Sequence, residues 1–253
     1  MTNQFTRTEL IFGEEGMSKL FGARIAVFGI GGVGGFAVEA LVRSGIGAID
    51  LFDDDRICLT NLNRQIHATR KNIGEYKVDA AKERIMDINP NAIVNTHKIF
   101  YIPDTSAQVD LTQYDYIVDA IDTVSGKIEL TVRAYEHGVP IISSMGAGNK
   151  IEAASFKVAD IYETSICPLA KVMRHELRKR GIPKLKVVYS KEPAFSPRVE
   201  TQTDNKTNCV DPTGLEKNCE QRRQIPGSNA FVPPVVGMII AGEVVKDLTG
   251  ITH

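Results

Sequence analysis

A doubly wound, mostly parallel α/β sheet, with antiparallel strands added by the C-terminal part, is the fold this sequence predicts. Three observations carry it. Residues 24–42 run from an apolar stretch of strand length, Ile25 to Phe28, through Gly29-x-Gly31-x-x-Gly34 into apolar positions at helical spacing, Val38, Leu41 and Val42. That is the order strand, phosphate-type loop, helix. A second strand ends in the carboxylates Asp53, Asp54 and Asp55, at roughly the 20-residue spacing expected of a ribose-binding acid. Strand-like and helix-like segments then alternate as far as Gly148, which calls for parallel strands with ligands at their carboxyl ends.

Taken in order, residues 5–20 carry Phe5, Leu10, Ile11, Phe12, Met17 and Leu20 around Gly13 and Gly16, and predict one or two short helices. Arg7 projects from a part the core does not need; read alone, it is a solvated arginine. The first strand (24–29) and helix (32–44) stop at Gly45-Ile-Gly47, a usual helix ending, and the second strand covers 48–53. Residues 56–67 are polar yet punctuated by apolar side chains, so they predict a structured loop over the strand ends. A helix opens at Gly74-Glu-Tyr-Lys77 and runs to Asn89-Pro90, and a third strand covers 93–96.

The segment 116–122 reads as a strand ending in Asp119 and Asp122. A helix over 125–137 closes at Gly138 and Pro140, and the strand opened by Ile141-Ile142 ends in Gly146-Ala-Gly148. Past Ala154 the character changes. Strands at 155–159 and 185–189 flank an Arg/Lys-rich helix at 168–180; 191–228 is a long polar loop of the kind that is functional or disordered. The last helix, 235–249, has Gly237, Ala241 and Gly242 where close packing or a subunit contact fits. The expected organisation is one unit over 1–253. Residues 1–153 form the Rossmann-like nucleotide-binding part, and 154–253 supply the sheet extension, basic helix, long loop and final helix for substrate and dimer contacts.

The 253 residues suffice for one large α/β domain, and 43% hydrophobic with 24% charged content is ordinary for a globular protein. A net charge of −1 gives no global attraction to nucleic acid, so an RNA partner must be held by a local patch. Lys171, Arg174, Arg178, Lys179, Arg180, Lys184 and Lys186 form one, and Lys206, Lys217, Arg222 and Arg223 add to it on the long loop. Phosphate contact and a merely solvated basic face stand as equal readings. Cys58, Cys167, Cys209 and Cys219 contain no Cys-x-x-Cys pair and no set at zinc spacing, so reduced thiols and a cytoplasmic location are expected. The N-terminus lacks a signal-peptide core. Val232 to Leu248 is broken by Pro233, Pro234, Glu243 and Lys246 and falls short of the roughly 20 residues of a membrane span; no membrane partner is expected.

A glycine loop and a helix N-terminus serve a pyrophosphate by themselves, whereas a triphosphate calls for more positive charge. Arg64 and Lys77 follow the ribose-type acid closely, and Asp122 ends a strand where a divalent cation would bridge phosphate oxygens. Each has a plainer alternative: Arg64 in a surface ion pair, Lys77 as a first-turn helix lysine, Asp122 as a helix N-cap. As a set they favour nucleoside triphosphate chemistry over a nicotinamide enzyme.

Gly29-Ile-Gly-Gly-Val-Gly34, Asp53-Asp-Asp55, Thr60-Asn-Leu-Asn-Arg-Gln65, Lys77 and Asp119-Ala-Ile-Asp122 together resemble the ThiF/MoeB-type adenylating enzymes, relatives of the ubiquitin-activating enzymes. The resemblance implies ATP-dependent adenylation of a carboxylate with magnesium, in a homodimer. It places Gly29, Gly31, Gly32, Gly34, Asp53, Asp55, Asn61, Arg64, Gln65, Lys77 and Asp122 around the nucleotide. Within that set Asp53 would bind the ribose, Asn61, Arg64 and Lys77 the phosphates, and Asp122 the metal. Arg7 matches an arginine that reaches across the dimer into the partner's site; Arg7, Arg64, Lys77 and Asp122 are the implied catalytic set.

Sulfur-carrier-activating members hold a zinc on two Cys-x-x-Cys pairs, which this chain lacks. Arg43-Ser-Gly-Ile-Gly-Ala-Ile49, Thr60 to His67, Ile88-Asn-Pro90, Asp119 to Val124 and Gly227 to Gly237 look instead like a zinc-free branch, the tRNA threonylcarbamoyladenosine dehydratases. That likeness implies adenylation of the threonyl carboxylate of the modified adenosine beside the anticodon, then ring closure by the same carbamoyl group with net loss of water. High effective molarity makes an enzyme nucleophile unnecessary. The partners implied are tRNA carrying threonylcarbamoyladenosine and a second copy of the chain, and the likeness admits a sulfur-relay protein and a monovalent cation. Activation of the Gly-Gly tail of a sulfur-carrier protein, a nucleotide-binding module without turnover, and an NAD-dependent oxidoreductase are the rival readings.

Overall fold

A computed structural model describes residues 3–196 and 226–251. Seven strands form one sheet in the order β3-β2-β1-β4-β5-β7-β6. Their ranges are β1 Arg24–Phe28, β2 Ala48–Phe52, β3 Ile93–His97, β4 Tyr116–Asp119, β5 Ile141–Ser144, β6 Phe156–Asp160 and β7 Lys186–Ser190. The helices are α1 Thr6–Gly22, α2 Gly34–Ser44, α3 Lys77–Ile88, α4 Pro103–Ser106, α5 Val124–Glu136, α6 Pro168–Lys179 and α7 Val232–Thr249.

Strand order reverses at β1, which is paired in parallel with β2 on one side and β4 on the other. Phe28 stands level with Phe52 and Asp119. Gly29, Asp53 and Ala120 therefore leave the sheet side by side at its carboxyl edge, where a ligand crevice opens in such sheets. The C-terminal part extends the sheet as expected, but with one reversed strand: β7 pairs in parallel with β5, and only β6 runs antiparallel, against β7.

Helices cover both faces. Leu41, Val42, Val236, Ile240 and Val244 are fully buried with Ile25 and Val27 under α2 and α7, each such side chain contributing roughly 1.5–3 kcal/mol. A Cβ on Gly237 would lie 2.3 Å from the Val33 carbonyl, so glycine there sets how closely α7 packs on α2. Pro233 and Pro234 fall in the first turn of α7, where a missing N–H costs nothing. That is why the helix begins at Val232, ahead of the expected 235. Across the sheet, Phe28 and Phe52 stack at 4.2 Å in a second cluster beneath α5 that includes Leu130 and Ala134.

The expected break in the first helix is a kink at Gly13, whose φ of 68° is non-helical. The long loop lies mostly outside the described residues, together with Cys209, Cys219, Lys206, Lys217, Arg222 and Arg223. Its flanks meet at one point: the Asn149 carbonyl accepts from Phe195 N–H at 2.8 Å, and Asn149 Oδ1 accepts from Gly227 N–H at 2.6 Å. Among the described residues no helix is long and apolar enough to cross a membrane.

Candidate active site

The glycine loop is a floor shaped by contact. Gly29 has φ +87°, and a Cβ there would lie 2.6 Å from the Ala120 carbonyl; a Cβ on Gly34 would lie 1.8 Å from the Gly29 carbonyl. These two glycines let β1, the β4–α5 turn and the first turn of α2 close on one another. Gly31 differs, because its Cβ would meet only Gln65 Nε2, at 4.0 Å. Its open side suits an approaching phosphate. A Cβ on Gly32 would press on Pro233 at 3.1 Å and the Arg64 stem at 3.2 Å, so the loop also seats Arg64 and the start of α7.

Asp53 follows β2 and is locked onto the loop. Its Oδ2 accepts from Ile30 N–H at 2.7 Å and its Oδ1 from Asp55 N–H at 2.9 Å. Burial pushes its carboxyl above the usual range, against the opposing pull of Lys77. Lys77, the first residue of α3, is 6% exposed. Its Nζ lies 2.7 Å from Asp55 and 3.7 Å from Asp53. Burial alone would lower the ammonium pKa, but Asp53, Asp55 and Asp122 outweigh it and the net shift is upward. A permanent cation therefore stands at the carboxyl edge.

Arg64 is half-buried and donates to the Thr60 carbonyl at 3.0 Å and to Asn63 Oδ1 at 2.9 Å. Among the described residues it has no carboxylate partner, so the ion-pair alternative does not describe it. Burial lowers its pKa, but a guanidinium stays charged. Asn61 spends its Oδ1 on Cys58 N–H at 3.1 Å, a turn-forming bond that shapes the loop carrying Arg64. Gln65 is 5% exposed, and its Oε1 has no hydrogen-bond partner among the described residues.

Asp122 lies beyond β4, which stops at Asp119. It is not the cap of α5: Thr123 occupies that position and makes no side-chain capping bond. The Asp122 carboxylate is exposed and close enough to Lys77 to help raise its pKa. One carboxylate joined by phosphate oxygens is a usual way to hold magnesium, so the residues fit that ion. The Asp53–Asp55 cluster is a poorer seat because Lys77 Nζ already stands against it.

Arg7 is not brought to this set within one chain. It is exposed on α1 and makes no hydrogen bond or ion pair among the described residues. Two buried features, the set of partners around Asp119 and an unbonded histidine, escaped the sequence reading of the site. Lys127, with no exposure, donates to Asp119 Oδ1 at 2.9 Å, and Ser143 Oγ donates to Asp119 Oδ2 at 2.6 Å. The signal was present: Lys127 shares the buried stripe of α5 with Leu130, Thr131 and Ala134, an unusual place for a lysine. His67 is the second, 3% exposed beside Gly35, with neither ring nitrogen bonded among the described residues.

A glycine floor, a fixed carboxylate beside it and two cations over it define a nucleotide-binding α/β protein equipped for a polyphosphate. The chain belongs to the ThiF family, which matches residues 4–253. It is 45% identical over 249 residues to the tRNA threonylcarbamoyladenosine dehydratase of Bacillus subtilis, covering 98% of this chain and 95% of that one. Its fold is similar to that of Escherichia coli tRNA N6-threonylcarbamoyladenosine dehydratase, TcdA, in complex with AMP, with a TM-score of 0.84 and 32% identity. The same enzyme in complex with ATP gives a TM-score of 0.81. Each alignment covers 98% of this chain and 94% of that one.

Proposed function

We propose that this chain is an ATP-dependent tRNA threonylcarbamoyladenosine dehydratase. The observation that carries the reading is the likeness to the Bacillus subtilis dehydratase along 98% of the chain. The open side of Gly31, together with the cations Arg64 and Lys77, supports the nucleotide part of it.

In this reading residues 1–153 bind ATP, and 154–253 serve substrate and dimer contacts. Asp53 takes the ribose, with Asp55 holding Lys77 in place. The loop at Gly29, Gly31, Gly32 and Gly34, with Asn61, Arg64, Gln65 and Lys77, holds the triphosphate. Asp122 holds magnesium, which when bound neutralises charge on the phosphates. Arg7 enters the site from the second copy of a homodimer. The threonyl carboxylate attacks the α-phosphorus and pyrophosphate leaves. A nitrogen or oxygen of the carbamoyl group then attacks the acyl carbon and AMP leaves, so the nucleoside loses one water. Arg64 and Lys77 stabilise the charge that develops on the phosphates, and the fixed geometry supplies the effective concentration for ring closure.

The test is to incubate the protein, ATP and magnesium with tRNA bearing threonylcarbamoyladenosine, digest it and weigh the nucleosides. Loss of one water with stoichiometric AMP is expected. An unchanged nucleoside, with AMP passed instead to a Gly-Gly-tailed carrier protein, would replace this reading with the sulfur-carrier one.

A further inference from the structure

We infer that the outer face of α6 is a seat for the sugar-phosphate backbone of the tRNA, separate from the nucleotide site. The inference rests on the proposed tRNA substrate. From Pro168 to Lys186 the chain carries seven Lys or Arg and a single carboxylate, Glu176, within a protein of net charge −1. Lys171, His175, Arg178 and Lys179 fall at i, i+4, i+7 and i+8, one helical stripe, and all four are exposed. Ala170, Met173 and Leu177 on the opposite side are fully buried, so the helix cannot turn its basic stripe inward.

Helix chemistry alone does not account for this stripe. Cations in a last turn complement the helix dipole, which covers Arg178 and Lys179, and Glu176 offsets Lys179 and Arg180 at 3.2 and 2.6 Å. Lys171 is different: it closes the first turn, at the positive end of the dipole, and that turn contains no acid. Among the described residues Lys171, Arg178 and Lys184 have no carboxylate partner. The helix is also fixed in place, since Arg174 donates to the Thr164 carbonyl at 3.0 Å and Arg178 lies over the Tyr162 ring at 5.2 Å. Such cations are pre-positioned for an extended anion.

The placement suits a large substrate. Cys167 and Ala170 at the start of α6 pack in one cluster with Met145, the residue that follows β5 at the carboxyl edge of the sheet. From there the helix runs about 18 Å along the flank. The stripe thus begins near the carboxyl edge of the sheet, the edge to which the glycine loop also belongs.

The experiment measures affinity for an unmodified tRNA transcript between about 50 and 200 mM salt, using the full chain. Lys171→Glu/Arg178→Glu is expected to bind at least about tenfold more weakly and to lower the salt slope by about 2, one for each phosphate no longer neutralised. Affinity for ATP alone should not change, and the melting temperature should fall only by the small contribution of the Arg178–Tyr162 contact. Lys19→Glu/Lys82→Glu alters charge equally on α1 and α3 and should leave tRNA affinity in place. If the first variant does not fold, Lys171→Glu/Lys184→Glu carries the same expectation. Wild-type tRNA affinity in the α6 variants, an equal loss in the α1/α3 variant, or no tRNA binding by the wild type overturns the inference. Normal tRNA binding without any loss of water from the modified nucleoside overturns the proposed reaction and leaves the docking surface standing.

Discussion

Lys127 and Asp119 form an ion pair sealed from solvent, 2.9 Å apart with neither side chain exposed. Asp119 also accepts from Ile121 N–H at 3.1 Å and from Ser143 Oγ at 2.6 Å. Those bonds hold the turn after β4 from beneath. On one side that turn presses its Ala120 carbonyl against Gly29, and on the other it carries Asp122. A buried pair of this sort adds little net stability by itself, yet removing one partner leaves a charge stranded.

Lys127→Met should therefore destabilise the fold by about 3–5 kcal/mol, as for other broken buried pairs. Lys127→Met/Asp119→Asn should recover part of that loss, because no uncompensated charge remains. Urea denaturation of both variants checks the ordering; equal stability of Lys127→Met and wild type would show that water reaches the pair.

The glycines separate by role. Gly34→Ala forces a Cβ to within 1.8 Å of a carbonyl oxygen and should cost about 1–3 kcal/mol or more through overpacking. Gly31→Ala meets nothing closer than 4.0 Å, so it should leave the melting temperature unchanged while weakening ATP binding. Calorimetry with ATP, paired with thermal unfolding, distinguishes the two.

Asp122→Ala should lower AMP formation by about 10²–10³-fold, the usual cost of losing one charge-stabilising group, with the circular dichroism spectrum retained. Lys77→Ala should lower it similarly, and a chelator added to wild type should act in the same direction as Asp122→Ala. Turnover unchanged in a variant removes that residue from the site.

His67 makes stability depend on acid in a defined window. Burial, then the nearby charges of Lys77 and Arg84, push its pKa down from 6.5 to about 4. The unfolded chain thus takes up a proton near pH 6.5 that the folded chain refuses until about pH 4. Stability should be level above pH 6.5 and fall by about 3 kcal/mol on acidification to pH 4. Urea midpoints at pH 7, 5.5 and 4.5 measure the slope, and His67→Leu should flatten it. The Glu39 carboxyl acts lower down. Burial raises its pKa, but Arg84 and Arg43 outweigh burial and hold it below its ordinary value. Its contribution is present above pH 4.5 and is lost as pH falls through that depressed value.

Much of the fold was legible because its signals are local. Strand and helix periods and Gly45 with φ +99° closing α2 act within a few residues of where they stand; Pro233 and Pro234 are as local, yet they read as breaks and put the start of α7 at 235 rather than at Val232. Strand pairing is not local. The direction of β7 beside β5 could not be read from 185–189, since an apolar run looks the same whichever way it lies in the sheet. The start of α5 was also misplaced by one residue, and the end of β4 by three, because boundaries depend on which carbonyl finds a partner.

For the proposed site, the linear chain by itself supplied the residue types that a polyphosphate pocket needs: glycines that tolerate close approach, an acid after the second strand, and Arg64, Lys77 and Asp122 downstream. Only the tertiary structure decided which glycines serve packing and which face open space, that Lys77 stands between Asp53 and Asp55, and that Lys127 lies in the core against Asp119. It also left Arg7 apart from the rest within one chain. The reason is that burial and charge pairing depend on distances between segments remote in sequence, and those distances exist only once the sheet has assembled.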